Sequence, residues 1–207
     1  MSNKSSRDII LQRLNAVQTF DWAVPSELPS HFVDLFPTPE NPLEYFKEAL
    51  ENVGGEVIIV IGKEEVIQQL KKWRKDFGWN NVGCTDPNME EMILSSGLTL
   101  IPQNEAEIVF TPCEFLISST GSVLVSSSSG LGRKSHVSPR IHVVLAAASQ
   151  LKLKIGGAIE ALKNKYDEMP SWVGLITGPS RTADIEKTLV MGAHGPSEFI
   201  VLIDEEL

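Results

Sequence analysis

The stretch "SWVGLITGPSRTADIEKTLVMGAHGPSEFIVLID", Ser171–Asp204, decides how the chain is read. Its apolar runs, Trp172 to Ile176 and Val201 to Ile203, have the length and composition of buried strands. Between them, Ile185 and Leu189 lie four residues apart, and Gly192 is a suitable residue to end a helix. The spacing predicts a short helix starting near Ser180 to Ala183, and so a compact βαβ unit. Its first turn, Thr177-Gly178-Pro179-Ser180-Arg181, would then lie at the carboxyl end of a strand, where open α/β sheets bind ligands.

That turn has the chemistry of an anion site. Gly178 admits a ligand close to the backbone, and Thr177, Ser180 and Thr182 offer hydroxyls. Free N–H groups at a helix start and the Arg181 guanidinium both favour a carboxylate or phosphate. The same residues also suit a simpler reading. Ser180 or Thr182 can cap the helix, and Arg181 can pair with Asp184 or Glu186. His194, in the second turn, would stand at the other end of a ten-residue helix, about 15 Å away. One ligand would not touch both turns unless the chain folds back.

Outward from this stretch, strands alternate with helices. Helical patterns cover Ser6 to Gln18, Leu43 to Val53, Glu64 to Phe77, Met89 to Ser96 and Ile155 to Tyr166. Strand patterns are Glu56–Gly62, "WNNVGCTD", "GLTLIP", Ala106–Thr111 and "RIHVVLAA". "EFLISSTGSVLVSSSSG" reads as two strands meeting in a hairpin at Thr120-Gly121. The pattern implies an α/β fold: a mixed, mostly parallel sheet covered by helices. The five prolines of "WAVPSELPSHFVDLFPTPENP" preclude a long helix. The expected organisation is an N-terminal helix and Pro-rich arm over 1–41, then one α/β domain over 42–207.

Composition narrows the function. The chain has 207 residues, 42% hydrophobic and 22% charged, enough to bury a sizeable core. Eighteen basic against 27 acidic residues give a net charge of −9, which argues against nucleic acid or an anionic membrane surface as partner. No apolar run reaches the length of a membrane span, and "MSNKSSRDII" lacks the apolar core of a secretory signal, so a cytoplasmic protein is expected. Two cysteines, Cys84 and Cys113, cannot supply the four thiolates usual in an iron–sulfur cluster, and the four histidines show no ligand spacing. No metal is expected.

Other residues carry chemistry in two readings each. Thr120-Gly121-Ser122 is either a tight turn or a place where a ligand meets backbone and two hydroxyls. Arg133 and Lys134 follow the "SSSSGLG" loop and either close over an anionic ligand or stay solvated. His142, inside an apolar strand, is either a general acid–base or a core histidine with satisfied hydrogen bonds.

"ITGPSRTADIEKTLVMGAHGP", with "CEFLISSTGSVLV" and "GRKSHVSPRIHVVLAAASQL" before it, resembles the signature of the LUD-domain family, in particular its lactate-utilisation protein C branch. The resemblance covers about the last hundred residues. It departs at Thr120-Gly121-Ser122, where many members read Thr-Gly-Thr. It implies the fold of the glucosamine-6-phosphate isomerase, ribose-5-phosphate isomerase and CoA-transferase group, in which a turn such as Thr120–Ser122 meets substrate. It also implies a cluster-free subunit of a cytosolic system that oxidises L-lactate to pyruvate, with the iron–sulfur clusters on partner proteins and no cofactor on this chain. Two alternatives stand beside it. One is an autonomous isomerase or acyl/CoA-type transferase for a small carboxylate or phosphate, with Glu114 as the nearest candidate nucleophile. The other is a non-catalytic binding or scaffold module.

Overall fold

The computed structural model describes residues 6–16, 38–84, 86–129, 133–185, 188–191 and 195–206. The chain divides into two units, Met1–Pro37 and Thr38–Leu207. In the first, helix α1 spans Ser6–Asn15, and residues 17–37, most of the Pro-rich arm, lie outside the described residues.

The second unit opens with α2, Pro42–Glu51. Asn41 caps it, its side chain accepting from the Leu43 and Glu44 amides, with Pro42 in the first turn where its missing N–H is harmless. Strand β1 (Glu56–Val60) leads into α3 (Gly62–Phe77), which stops at Gly78 with φ 71°. Strand β2 (Asn81–Cys84) is followed by α4 (Pro87–Ser95). That helix starts two residues before the expected Met89 because Asp86 caps it and Pro87 suits the first position. Then come β3 (Thr99–Leu100), β4 (Ile108–Thr111), β5 (Phe115–Ile117), β6 (Ser122–Ser126), β7 (Ile141–Ala147), β8 (Leu151–Lys152), α5 (Ile155–Lys165) and β9 (Val173–Ile176). The last strands are β10 (Arg181–Ile185), β11 (Thr188–Met191) and β12 (Glu198–Asp204).

Six strands form one parallel sheet in the order β1-β12-β7-β4-β2-β3. One face packs Val143 and Leu202 against Leu70 and Trp73 of α3 and Ile93 of α4. The other packs Val144, Val201 and Ile203 against Phe46 and Leu50 of α2 and against a second sheet. The hairpin therefore does not make the main sheet mixed. It builds a separate four-stranded sheet, β8-β5-β6-β9, with β6 antiparallel to both β5 and β9. Leu116, Val123 and Val125 face the main sheet, while Ile117 and Leu124 face Ala158 and Leu162 of α5. Burial on both faces explains the unbroken apolar run Val123-Leu124-Val125. Each such side chain, fully buried, contributes roughly 1.5–3 kcal/mol.

The expected βαβ unit is absent. Strand β9 belongs to the second sheet and β12 to the first, and the predicted helix is an antiparallel ribbon, β10 paired with β11. Arg181 stands opposite Met191 and Thr182 opposite Val190, with the register shifting before the Ile185–Thr188 pair. Thr182, Ile185, Thr188 and Val190 are β-branched and stiff at χ1, which favours the pleated conformation. The four-residue spacing of Ile185 and Leu189 does not outweigh that.

Candidate functional site

The ribbon changes the geometry of the two turns. With no helix between them, the chain folds back and the turns meet. The Ser180 amide donates to the Pro196 carbonyl at 2.8 Å, and a Cβ on Gly195 would stand 2.9 Å from that of Ser180. The first turn thus has no helix N-terminus to offer an anion. His194 and the side chain of Thr182 lie outside the described residues.

What the turn does meet is the carboxyl-terminal end of α2. Gly178, at φ 82°, lies against Val53, whose carbonyl oxygen would stand 2.9 Å from an added Cβ. The exposed Arg181 guanidinium donates to the same Val53 carbonyl. Val53 lies two residues past α2, whose last carbonyls already accept from Asn52, Val53, Gly54 and Gly55, so the guanidinium ties down the turn that follows the helix. Asp184 and Glu186, the ion-pair partners considered from sequence, lie outside the side chains described.

Pairing of β6 with β9 brings the two hydroxyl-bearing turns together across 55 residues. Ser122 Oγ lies 2.7 Å from Thr177 Oγ1 and donates to Thr120 Oγ1, also at 2.7 Å. Ser122 is buried and Thr177 exposed. Gly121 sits at φ 60° on the backbone of α2: an added Cβ would collide with the Leu50 nitrogen and lie 2.6 Å from the Ala49 carbonyl carbon. Packing on the helix is the physical requirement for glycine here. Arg133 opens a 3-10 turn, Arg133–His136; its side chain and that of Lys134 lie outside the described residues.

The two candidate catalytic groups are both buried. Glu114 accepts from Ser126 Oγ at 2.6 Å, Tyr166 Oη at 2.9 Å and Lys165 Nζ at 2.7 Å. Burial alone would raise its carboxyl, but the bonds from Lys165, Ser126 and Tyr166 and the Lys165 charge outweigh that and hold it below the ordinary value. A carboxylate with 1% of its side chain exposed and three donors on it is not free to attack a substrate. His142 Nε2 lies 2.8 Å from Thr111 Oγ1, while Nδ1 has no partner. Burial, then the neighbouring His136, depresses its imidazole to about 3, so it stays neutral at physiological pH.

His136 is a residue that sequence reading passed over. It is 2% exposed, its ring centroid is 5.5 Å from that of His142, and it stacks on Trp172 at 5.9 Å. Neither ring nitrogen has a partner, and burial depresses it to about 4. Nothing in "RKSHVS" announces a buried histidine.

A cavity of about 360 Å³ was also missed. It lies at the carboxyl ends of β4, β7 and β12, among α3 and α4, and includes Val66, Met89, Met92, Leu145 and Asp204. The signal available in sequence was Asp204, a carboxylate ending the apolar run "EFIVLI" at a sheet's carboxyl edge. Among the described residues, no group of three His, Cys, Asp or Glu is placed to hold a metal ion, and no helix is long and apolar enough to cross a membrane.

Comparison with known proteins agrees with the signature read from sequence. The LUD domain family matches residues 101–203. Lactate utilization protein C of Shouchella clausii is 30% identical over 161 residues, covering 75% of this chain and 70% of that protein. The uncharacterised protein YkgG of Escherichia coli K12 is 30% identical over 105 residues, 49% of this chain and 46% of that one. For that relative and for lactate utilization protein C of Bacillus licheniformis, at 31% identity, the matched span is under half of the relative's length. A DUF162 family protein from Deinococcus radiodurans, known from a crystal structure, shares the fold with a TM-score of 0.59 and 18% identity over 79% of this chain and 96% of that one. The chain belongs to the LUD-domain family, in the branch of the lactate utilisation C proteins.

Proposed function

We propose that this chain serves L-lactate utilisation as the cluster-free subunit of an iron–sulfur system that oxidises L-lactate to pyruvate. The observation that carries the reading is the 30% identity over 161 residues to a lactate utilization protein C, spanning 70% of that protein. The cysteine chemistry supports the division of labour. Oxidation of L-lactate releases two electrons and two protons, and the chain has two cysteines. Cys113 is buried, and that burial, with a smaller push from Glu114, raises its thiol to about 12, so it keeps its proton. Cys84 is half-buried and donates to the Asp86 carbonyl. In this reading the electrons pass to clusters on partner subunits.

In this reading the small carboxylate is received at the corner of Thr120, Ser122, Thr177, Gly178, Ser180 and Arg181. Arg181 gives one N–H to Val53 and carries four more, enough for a two-bond grip on a carboxylate. Exposed Thr177 offers its hydroxyl from the same turn. Neither buried candidate, Glu114 or His142, supplies a nucleophile or base to that corner, which favours the subunit reading over an autonomous transferase.

The test is gentle anaerobic purification of the tagged chain from its own host. Co-purification of cysteine-rich partners with broad visible absorbance is the expected result. A colourless chain that purifies alone under every gentle condition, with lactate oxidation recovered in other fractions, would overturn the proposal.

A further inference from the structure

The four-stranded sheet has two edges, and the chain treats them differently. At one edge, β8 is two residues long and carries Lys152, with Lys154 close behind. Short length and lysine are common means of stopping an edge strand from pairing further. At the other edge stands β9, Val173–Ile176, with no such device. No charged residue falls between Met169 and Ser180, in a chain of net charge −9. The pairing of β9 with β6 runs through all four residues without a bulge. Met169 and Leu175 are large, apolar and exposed, at 46% and 44%.

The phase of the ladder decides which backbone groups face outward. Ser127 donates its amide to the Trp172 carbonyl at 2.9 Å, so Trp172 bonds toward β6. Residues of an antiparallel pair alternate in this, so Gly174 and Ile176 also bond toward β6. The N–H and C=O groups of Val173 and Leu175 point away from it. Among the described residues, no strand pairs with that side of β9. Leu175 lies opposite Leu124, so its side chain and that of Val173 are on the face of the sheet that α5 packs against.

The edge is its own complement. A charged strand would find no counter-charge on it, whereas a second copy brings the same neutral, regular stretch. Antiparallel pairing about a two-fold axis at Gly174 sets Val173 of each copy opposite Leu175 of the other. Those are the residues whose backbone groups point outward, so each N–H meets a C=O. The Val173 and Leu175 side chains then lie side by side on one face and cover the exposed leucine. We propose that the chain forms a two-fold dimer by pairing β9 with β9 of a second copy, joining the two four-stranded sheets into one. Continued by two residues, the same register puts Ser171 of one copy opposite Thr177 of the other. The second copy would then border the corner that holds Thr177 and Arg181.

The experiment is sedimentation velocity of the full-length protein up to roughly 100 µM, where a dimer is expected. Leu175→Pro removes an outward N–H and leaves the bonds to β6, a place where edge strands accept proline. Leu175→Lys keeps that N–H and brings two like charges close across the axis. Each variant is expected to weaken the dimer at least about ten-fold, with circular dichroism showing the fold retained. A wild-type chain that stays monomeric would overturn the proposal, and is the result expected if the edge serves a strand of another protein. An unchanged dissociation constant in either folded variant would overturn it too. No lactate enters these measurements, so they succeed or fail apart from the lactate reading.

Discussion

Lowering the pH from 7 to 5 should remove about 4 kcal/mol of stability through two imidazoles. His136 and His142 are both buried, with folded values of about 4 and about 3, against roughly 6.5 in an unfolded chain. Because the folded values are depressed, the unfolded state takes up protons first. Stability is full above about 6.5 and falls as the pH drops toward the folded values. At pH 5 each unfolded imidazole lies about 1.5 pH units below its own pKa, at about 1.4 kcal/mol per unit, while the folded rings are still neutral. The rings packed against them, Trp172 and Phe199, carry no charge that would rescue the protonated forms. The sum is about 2 kcal/mol per ring, a large part of a typical domain's stability. Urea unfolding followed by tryptophan fluorescence at both pH values measures it. A double variant, His136→Phe with His142→Gln, subtracts the carboxylates, including Glu56, whose carboxyl is raised by burial and then by Glu198 and Glu51 and so works in the opposite sense. Wild-type loss below about 1 kcal/mol, or equal loss in the double variant, would refute the reasoning.

Three further substitutions test the packing account. Gly121→Ala should cost about 2–4 kcal/mol in chemical denaturation, from the positive φ and the collision with α2. Glu114→Gln should cost about 1–3 kcal/mol, discounted because Lys165 is half exposed and keeps its water. Because the Glu114 carboxyl is held below its ordinary value, its contribution should be present above about pH 4.5 and fade below it. Arg181→Ala should cost only about 0.5–1.5 kcal/mol, as loss of one exposed hydrogen bond to the turn after α2, yet should impair growth on L-lactate in a complementation assay.

The layers of the fold were legible because apolar periodicity reports burial. Val57 to Val60 and Ile141 to Ala146 sit where their patterns put them. The hairpin was legible too, since Thr120-Gly121 punctuates two apolar runs. Which sheet it joins was not, because sheet membership depends on pairings such as Val123 with Ile176, remote in sequence. The Thr182–Val190 ribbon was misread because a single pair at i and i+4 satisfies a helix and a ribbon alike. Of the candidate site, the grouping of Thr177 with Thr120 and Ser122 was within reach, as residues of the same kind in two turns. The burial of Glu114 under Lys165 and Tyr166 was not, because a lone glutamate in a strand reads as exposed.

Deletion of the coding sequence in its own host, scored for growth on L-lactate and on glucose, addresses the central claim most directly. The account expects growth on L-lactate to fail, growth on glucose to continue, and the wild-type copy to restore lactate growth. Undiminished growth of the deletion strain on L-lactate, in a host with no other lactate oxidase, would contradict it.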